Sequence, residues 1–161
     1  MKELEIIDMY KITVFTPVYN RADLISNVYS SLLKQNVDKE LFEWLVVDDG
    51  STDNLKEVID DYISEKKINI NYYYKENGGV HTAWNFGVKK AKGEYFFRCD
   101  SDDELFSDTL QKLISYLDKY AEHLSSDCVG IVGLCERKKQ GGNIVRLLGE
   151  NFPPISLSLR G

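Results

Sequence analysis

Four times along this chain a short run of β-branched and aromatic residues gives way to apolar residues at helical spacing, and this alternation limits the fold more than any other feature. Residues 11–16 (KITVFT) read as a buried strand. Ile25, Val28, Tyr29 and Leu32 follow on one helical face, with Asn20 and Asp23 as the expected cap. Residues 42–47 (FEWLVV) form the second strand, and a helix from near Asp53 carries Leu55, Val58, Ile59, Tyr62 and Ile63 on one side. The third strand is 68–74, and its helix, about 79–92, is expected to bury Val80, Trp84, Gly87, Val88 and Ala91. The fourth is 94–99 (EYFFRC), before a helix capped by Asp108 and Gln111 with Leu110, Leu113, Ile114 and Leu117 facing inward. A fifth apolar strand is expected at 129–134, then a hairpin turn at Gly141-Gly142-Asn143 into 144–148. Such alternation predicts an α/β protein, a mostly parallel sheet with helices on both faces and right-handed crossovers.

The bulk properties narrow the setting. The 161 residues suit one domain, and no linker or repeat divides them. The net charge of −6 argues against a general nucleic-acid partner, which needs a basic surface. No apolar run is long enough for a transmembrane segment, and Lys2, Glu3, Glu5 and Asp8 would spoil a secretory signal. Cys99, Cys128 and Cys135 lack paired or metal-ligand spacing and read as reduced core thiols. The expected location is cytoplasmic, with peripheral association at the inner membrane face and oligomer formation left open.

In an open parallel sheet, ligands bind outside the carboxyl ends of the strands. The unusual polar residues of this chain collect there. The first strand ends in Thr16-Pro17-Val18-Tyr19-Asn20-Arg21 and the second in Asp48-Asp49. The third ends in Glu76-Asn77-Gly78-Gly79-Val80-His81 and the fourth in Asp100-Ser101-Asp102-Asp103. Clustered carboxylates repel one another unless a cation sits among them, and hard oxygen ligands suit Mg²⁺ or Mn²⁺ completed by water and substrate phosphates. An ordinary acidic loop with capping duties accounts for the same run, and D-x-D alone is short and common. Asp49 is placed to accept from a base N–H or a ribose hydroxyl. Asp48-Asp49-Gly50-Ser51 also suits an Asx-type turn, but the cap offered by Asp53 leaves Asp49 less needed for structure. Gly78-Gly79 permits a tight turn before a helix whose amino end favours anions. His81 and Asn85, one helical turn apart, can both face that edge, whereas Trp84 reads as core.

Thr16-Pro17-Val18-Tyr19-Asn20, Val46-Val47-Asp48-Asp49-Gly50-Ser51-Thr52-Asp53, Asn77-Gly78-Gly79 and Asp100-Ser101-Asp102-Asp103 stand in that order. Together they resemble the amino-terminal half of the inverting glycosyltransferases of family two, over about residues 10 to 135. The resemblance implies the GT-A fold, a Rossmann-like nucleotide-diphospho-sugar transferase architecture. It implies a nucleotide-sugar donor, typically UDP-linked, and a saccharide or lipid-linked acceptor such as a growing cell-envelope polysaccharide. Thr16 and Pro17, with Tyr19 or Arg21, would wall the base, and Asp49 would bind it. Asp100 would face ribose and metal, with Ser101 beside it in the nucleotide site. Asp102 would ligate the Mn²⁺ or Mg²⁺ that bridges the diphosphate, and Arg21 can reach the phosphates. Gly79 and His81 complete the expected nucleotide-binding set.

The reaction implied is displacement at the anomeric carbon, with the metal neutralising charge on the departing diphosphate. In the resembled family the general base is an Asp well beyond the acidic motif, followed by Q-x-x-R-W, and neither pattern occurs here. Residues 1–161 are therefore expected to be a single nucleotide-sugar-binding domain that stops before the acceptor-binding half. Glu136 is the one acid at a fitting strand end and is a poor base candidate. A nucleotidyltransferase making a nucleotide-sugar is the alternative enzyme, but its glycine-rich basic loop is missing after the first strand. A nucleotide-binding module without catalysis is the alternative outside enzymes. A dinucleotide-dependent dehydrogenase is disfavoured, because no G-x-G-x-x-G follows the first strand.

Overall fold

The computed structural model describes residues 10–120 together with the backbone of 135–138 and 144–148. Its elements run β1 (Ile12–Val18), α1 (Ile25–Leu33), β2 (Phe42–Asp48), α2 (Leu55–Glu65), β3 (Asn69–Tyr74), α3 (Val80–Lys90), β4 (Tyr95–Arg98), α4 (Thr109–Tyr120), β5 (Cys135–Lys138) and β6 (Ile144–Leu148). A short 3₁₀ turn, Lys39–Leu41, leads into β2. Contacts divide the chain into two compact units, Met1–Tyr116 and Leu117–Gly161. In the first, four strands form a sheet in the order β3-β2-β1-β4, and every pair is parallel. In the second, β5 and β6 pair antiparallel.

Strand alternation builds two cores. On one face Ile12, Val14 and Val18 of β1 and Phe42, Trp44 and Val46 of β2 meet Ile25, Val28, Tyr29 and Leu32 of α1, Leu55 and Ile59 of α2, and Leu110 of α4. On the other face Phe15, Leu45 and Val47 meet Ala83 of α3. Each large apolar side chain buried in this way contributes about 1.5–3 kcal/mol. Glu43 also lies fully buried in β2. Its carboxylate accepts from Thr13 Oγ1 at 2.6 Å, Asn71 Nδ2 at 2.7 Å and the Lys92 backbone N–H at 2.6 Å, so burial does not leave it without partners.

Several local expectations need correction. Of the stripe expected on α3, Gly87 is buried and Ala91 packs against the core, but Val80, Trp84 and Val88 are exposed, and Ala83 is buried in their place. The helix sits so close to β1 that a Cβ on Gly87 would collide with the Phe15 ring. That approach selects the small residues as the packing stripe and turns the larger ones outward. Asn20 does not cap α1. Its φ of 51° turns the chain instead, and its side chain reaches the loop after β2. The amino end of α4 is satisfied from across the core, where Gln35 Oε1 accepts from Leu110 N at 3.0 Å, while Asp108 pairs with Lys112. The hairpin strand at 144–148 is present, paired with Cys135–Lys138. The expected strand at 129–134, the turn at 141–143 and Cys128 lie outside the described residues.

Candidate functional site

The winding of the sheet reverses beside β1. The crossovers through α1 and α2 pack on one face and carry the chain outward from β1 to β2 to β3. Helix α3 then returns it over the opposite face to β4, on the far side of β1. Adjacent crossovers on opposite faces make the carboxyl ends of β1 and β4 a topological switch point, the place where such sheets bind ligands. Arg21, after β1, and Asp102, after β4, reach across it, with Nη1 3.7 Å from Oδ2.

The loops after β1 and β2 are stitched together. Asn20 N donates to Ser51 Oγ at 2.9 Å, Asn20 Oδ1 accepts from Thr52 N at 2.7 Å, and Asp53 Oδ2 accepts from Ala22 N at 2.9 Å. Asp48 makes the Asx-type turn, accepting from Ser51 N at 2.7 Å with one oxygen and from the Tyr72 hydroxyl at 2.6 Å with the other. Burial and the bonded Asp48 carboxylate push the Tyr72 phenol well above its ordinary pKa. Tyr19 is exposed and Pro17 half-buried.

Asp49 is not left idle for a ligand. Its side chain is only 5% exposed and pairs with the Lys75 ammonium, which follows directly on β3. It also accepts from Gly78 N at 3.0 Å and Gly79 N at 2.7 Å. Burial alone would raise its pKa; the Lys75 bond and the two backbone N–H groups outweigh burial and hold it below the usual carboxylate range. Gly79 opens α3 with φ 87° and ψ 161°, a backbone region that is essentially glycine's own. Asp49 therefore fixes the loop before α3, a structural duty the capping argument had assigned away from it.

The acidic turn after β4 is built differently. Arg98 grips Asp100 with two bonds, Nε to Oδ1 at 2.5 Å and Nη2 to Oδ2 at 2.9 Å, while both side chains remain about two-fifths exposed. Asp103 N donates to Asp100 O at 3.0 Å and closes the turn. Burial, then the Asp100 charge, raises the Asp103 pKa. Among the described residues no three His, Cys, Asp or Glu side chains gather as a ready metal cluster. Asp100 and Asp102 still fit a hard divalent ion, because such an ion takes one or two carboxylates and fills its shell with water and phosphate oxygens.

Glycosyl transferase family 2 matches residues 13–152. The chain belongs to that family. TarS of Staphylococcus aureus, a poly(ribitol-phosphate) β-N-acetylglucosaminyltransferase, is 32% identical over 112 residues, which are 70% of this chain and 20% of TarS. A poly(ribitol-phosphate) β-glucosyltransferase of Bacillus spizizenii is 37% identical over 108 residues, 66% of this chain and 17% of that protein. This family 2 chain thus spans about a fifth of the length of these relatives. Crystallised TarS 1–349 with UDP superposes at a TM-score of 0.65 with 33% identity, over 69% of this chain and 33% of that one. The mannosyltransferase PcManGT of Pyrobaculum calidifontis, with GDP-Man and Mn²⁺, superposes at 0.68 with 25% identity, over 79% and 36%. The parallel sheet with its helices is that of the GT-A glycosyltransferases.

Of the expected site residues, the structure places Tyr19 and Arg21 just after β1 and Asp100, Ser101 and Asp102 just after the adjacent β4, with Arg21 reaching Asp102. Asp49 and Gly79 meet at the β2–β3 end instead, and His81 lies exposed in the first turn of α3. Thr16 is fully buried, its hydroxyl accepting from Trp44 Nε1 at 2.9 Å, so its side chain cannot wall a base. Sequence reasoning missed Lys75 and Arg98. Each is a cation at a strand end, next to or two residues from an acidic motif, and that adjacency was the available signal. It also placed Trp84 in the core. The ring is 36% exposed and rests edge-on against Phe15 and Phe96.

Proposed function

We propose that this chain provides the donor site of a metal-dependent glycosyltransferase, which takes a sugar from a nucleotide-sugar, UDP-linked in the first instance, and passes it to an acceptor such as a growing cell-envelope polysaccharide. The observation that carries this reading is the pair Asp100 and Asp102 at the topological switch point, each matched with an arginine and each able to turn to a cation. The glycosyltransferase relatives, the UDP-GlcNAc complex of TarS and the Mn²⁺ complex of PcManGT point the same way. In this reading Mn²⁺ or Mg²⁺, when bound, would neutralise charge growing on the diphosphate leaving group. Asp100 and Asp102 hold the ion, Tyr19 and Pro17 border the base, and Arg21 reaches a phosphate.

Residues 1–161 then act as the donor-binding domain, and the general base and the acceptor-binding half come from outside them. No described helix is long and apolar enough to cross a membrane. Titration calorimetry with UDP tests the proposal. Binding should appear in Mn²⁺ and be largely lost in EDTA, and equal affinity in both would remove the metal.

A further inference from the structure

We propose that Arg98, seated on Trp84, is a diphosphate-binding residue of the donor site, and that its grip on Asp100 is the ligand-free resting position of the same side chain. The inference rests on the donor-site reading above. The Arg98 guanidinium lies 5.6 Å from the centre of the Trp84 ring. That ring is itself pinned by edge contacts to Phe15 at 5.6 Å and Phe96 at 5.4 Å, both from the core beneath α3. An arginine stacked on a fixed aromatic face keeps its fork oriented, and that fork suits phosphate oxygens as well as carboxylate.

Charge balance points to the exchange. Without ligand, Arg98 is matched with Asp100 and Arg21 with Asp102, two cations against two anions. A sugar diphosphodiester brings two negative charges and a divalent ion brings two positive ones, so the site is neutral before and after loading. When Asp100 turns to the cation, Arg98 loses both of its acceptors, and the incoming anion is the diphosphate held by that same cation. Both arginines are about half exposed, so each can swing without unpacking the core. Arg98 thereby gains a role that no sequence motif assigns to it, and the outward-turned Trp84 gains a reason for its exposure.

The test is titration of the chain and its Arg98→Gln and Arg98→Lys variants with UDP, GDP and uridine, with and without Mn²⁺, alongside thermal melts. Loss of a charge-assisted pair predicts UDP binding in Mn²⁺ weakened about 10- to 100-fold in Arg98→Gln, with uridine affinity held within about twofold. Arg98→Lys keeps the charge without the fork and should recover only part. Because the side chain is exposed, melting temperatures should stay within a few degrees, and Arg98→Lys carries the test should Arg98→Gln fail to fold. Unchanged UDP binding in the variants would overturn the proposal alone. Tighter binding would also overturn it, and would make Arg98 a latch that keeps Asp100 from the cation. A parent chain that binds neither UDP nor GDP in a Mn²⁺-dependent way would remove the donor reading and this proposal together.

Discussion

Asp49 and Asp100 stand at the same edge of one sheet, after the two strands that flank β1, yet they are held in opposite ways. Asp49 is 5% exposed and takes an ammonium and two backbone N–H groups from the segment before α3. Asp100 is 38% exposed and is gripped by one exposed arginine side chain. A carboxylate fastened to backbone donors shapes a loop and resists exchange. One fastened to an exposed side chain can trade that partner for a cation at little cost, because surface ion pairs are worth about 0–1 kcal/mol. The β2–β3 end of this edge is thus a fixed wall, and the carboxylates at the β1–β4 end are the ones able to change partners.

The largest effect that can break this contrast is expected for Asp49→Ala. It leaves the Lys75 ammonium, only 18% exposed, without its carboxylate and strips the acceptor from Gly78 N and Gly79 N. Removing one partner of a buried pair costs about 3–5 kcal/mol, and the partial exposure of Lys75 places this case near 3. Urea denaturation should show that loss, and adding Lys75→Ala should cost less than the sum of the two changes. A loss under about 1 kcal/mol would put Asp49 in the same class as Asp100.

Gly79→Ala comes next. A side chain at φ 87° and ψ 161° is strained by about 1–3 kcal/mol and would draw the Gly79 N–H away from Asp49. The expected readout is a lower urea midpoint together with faster amide exchange across residues 78–82. Unaltered exchange there would separate the loop conformation from the Asp49 bonds.

The contrast explains what could be read from the sequence and what could not. The four strands and their helices were legible because period and composition report burial directly, as in FEWLVV for β2. The four polar segments at strand ends were legible because sheet topology brings them to one edge. Partner choice was not. That Asn20 would bond Thr52 rather than cap α1, or that Gln35 would cap α4, depends on loop paths that no local pattern encodes. The α3 stripe held at Gly87 and Ala91 and failed at Val80, Trp84 and Val88 for a related reason. Periodicity located a helix but could not tell that Gly87 would bring it against Phe15 and turn Trp84 outward. Asp49 was recognised as special while its structural duty was missed, since Lys75 and the glycine N–H groups reach it from a segment about 26–30 residues away.

Acid should expose the same difference on a smaller scale. The folded-state pKa of Asp49 lies below its unfolded value of about 3.9, so its contribution is complete above that pH and fades as pH falls through the lower folded value. In Asp49→Asn that fading part is absent, and the fall in stability between pH 4 and pH 2 should be shallower than in the parent chain. Parallel curves for the two would mean that the Lys75 pair persists unfolded or never forms.

The smallest effect on stability is expected where the effect on binding is largest. Asp100→Asn and Asp102→Asn each remove one carboxylate from an exposed arginine pair and leave the backbone turn closed by Asp103 N to Asp100 O. Each should shift the unfolding free energy by about 0–1 kcal/mol, inside the range of surface ion pairs. The removed groups are nonetheless the two hard oxygen donors at the switch point, so the Mn²⁺ dependence of UDP binding should weaken in each single variant and vanish in the double one. A double variant that unfolds readily would show the acidic turn to be a fixed wall like the Asp49 loop. One that stays folded and still binds UDP more tightly in Mn²⁺ than in EDTA would move the cation to other ligands. The outcome expected from the geometry is a stable protein blind to Mn²⁺, because exposure lets these carboxylates change partners and frees the fold from depending on them.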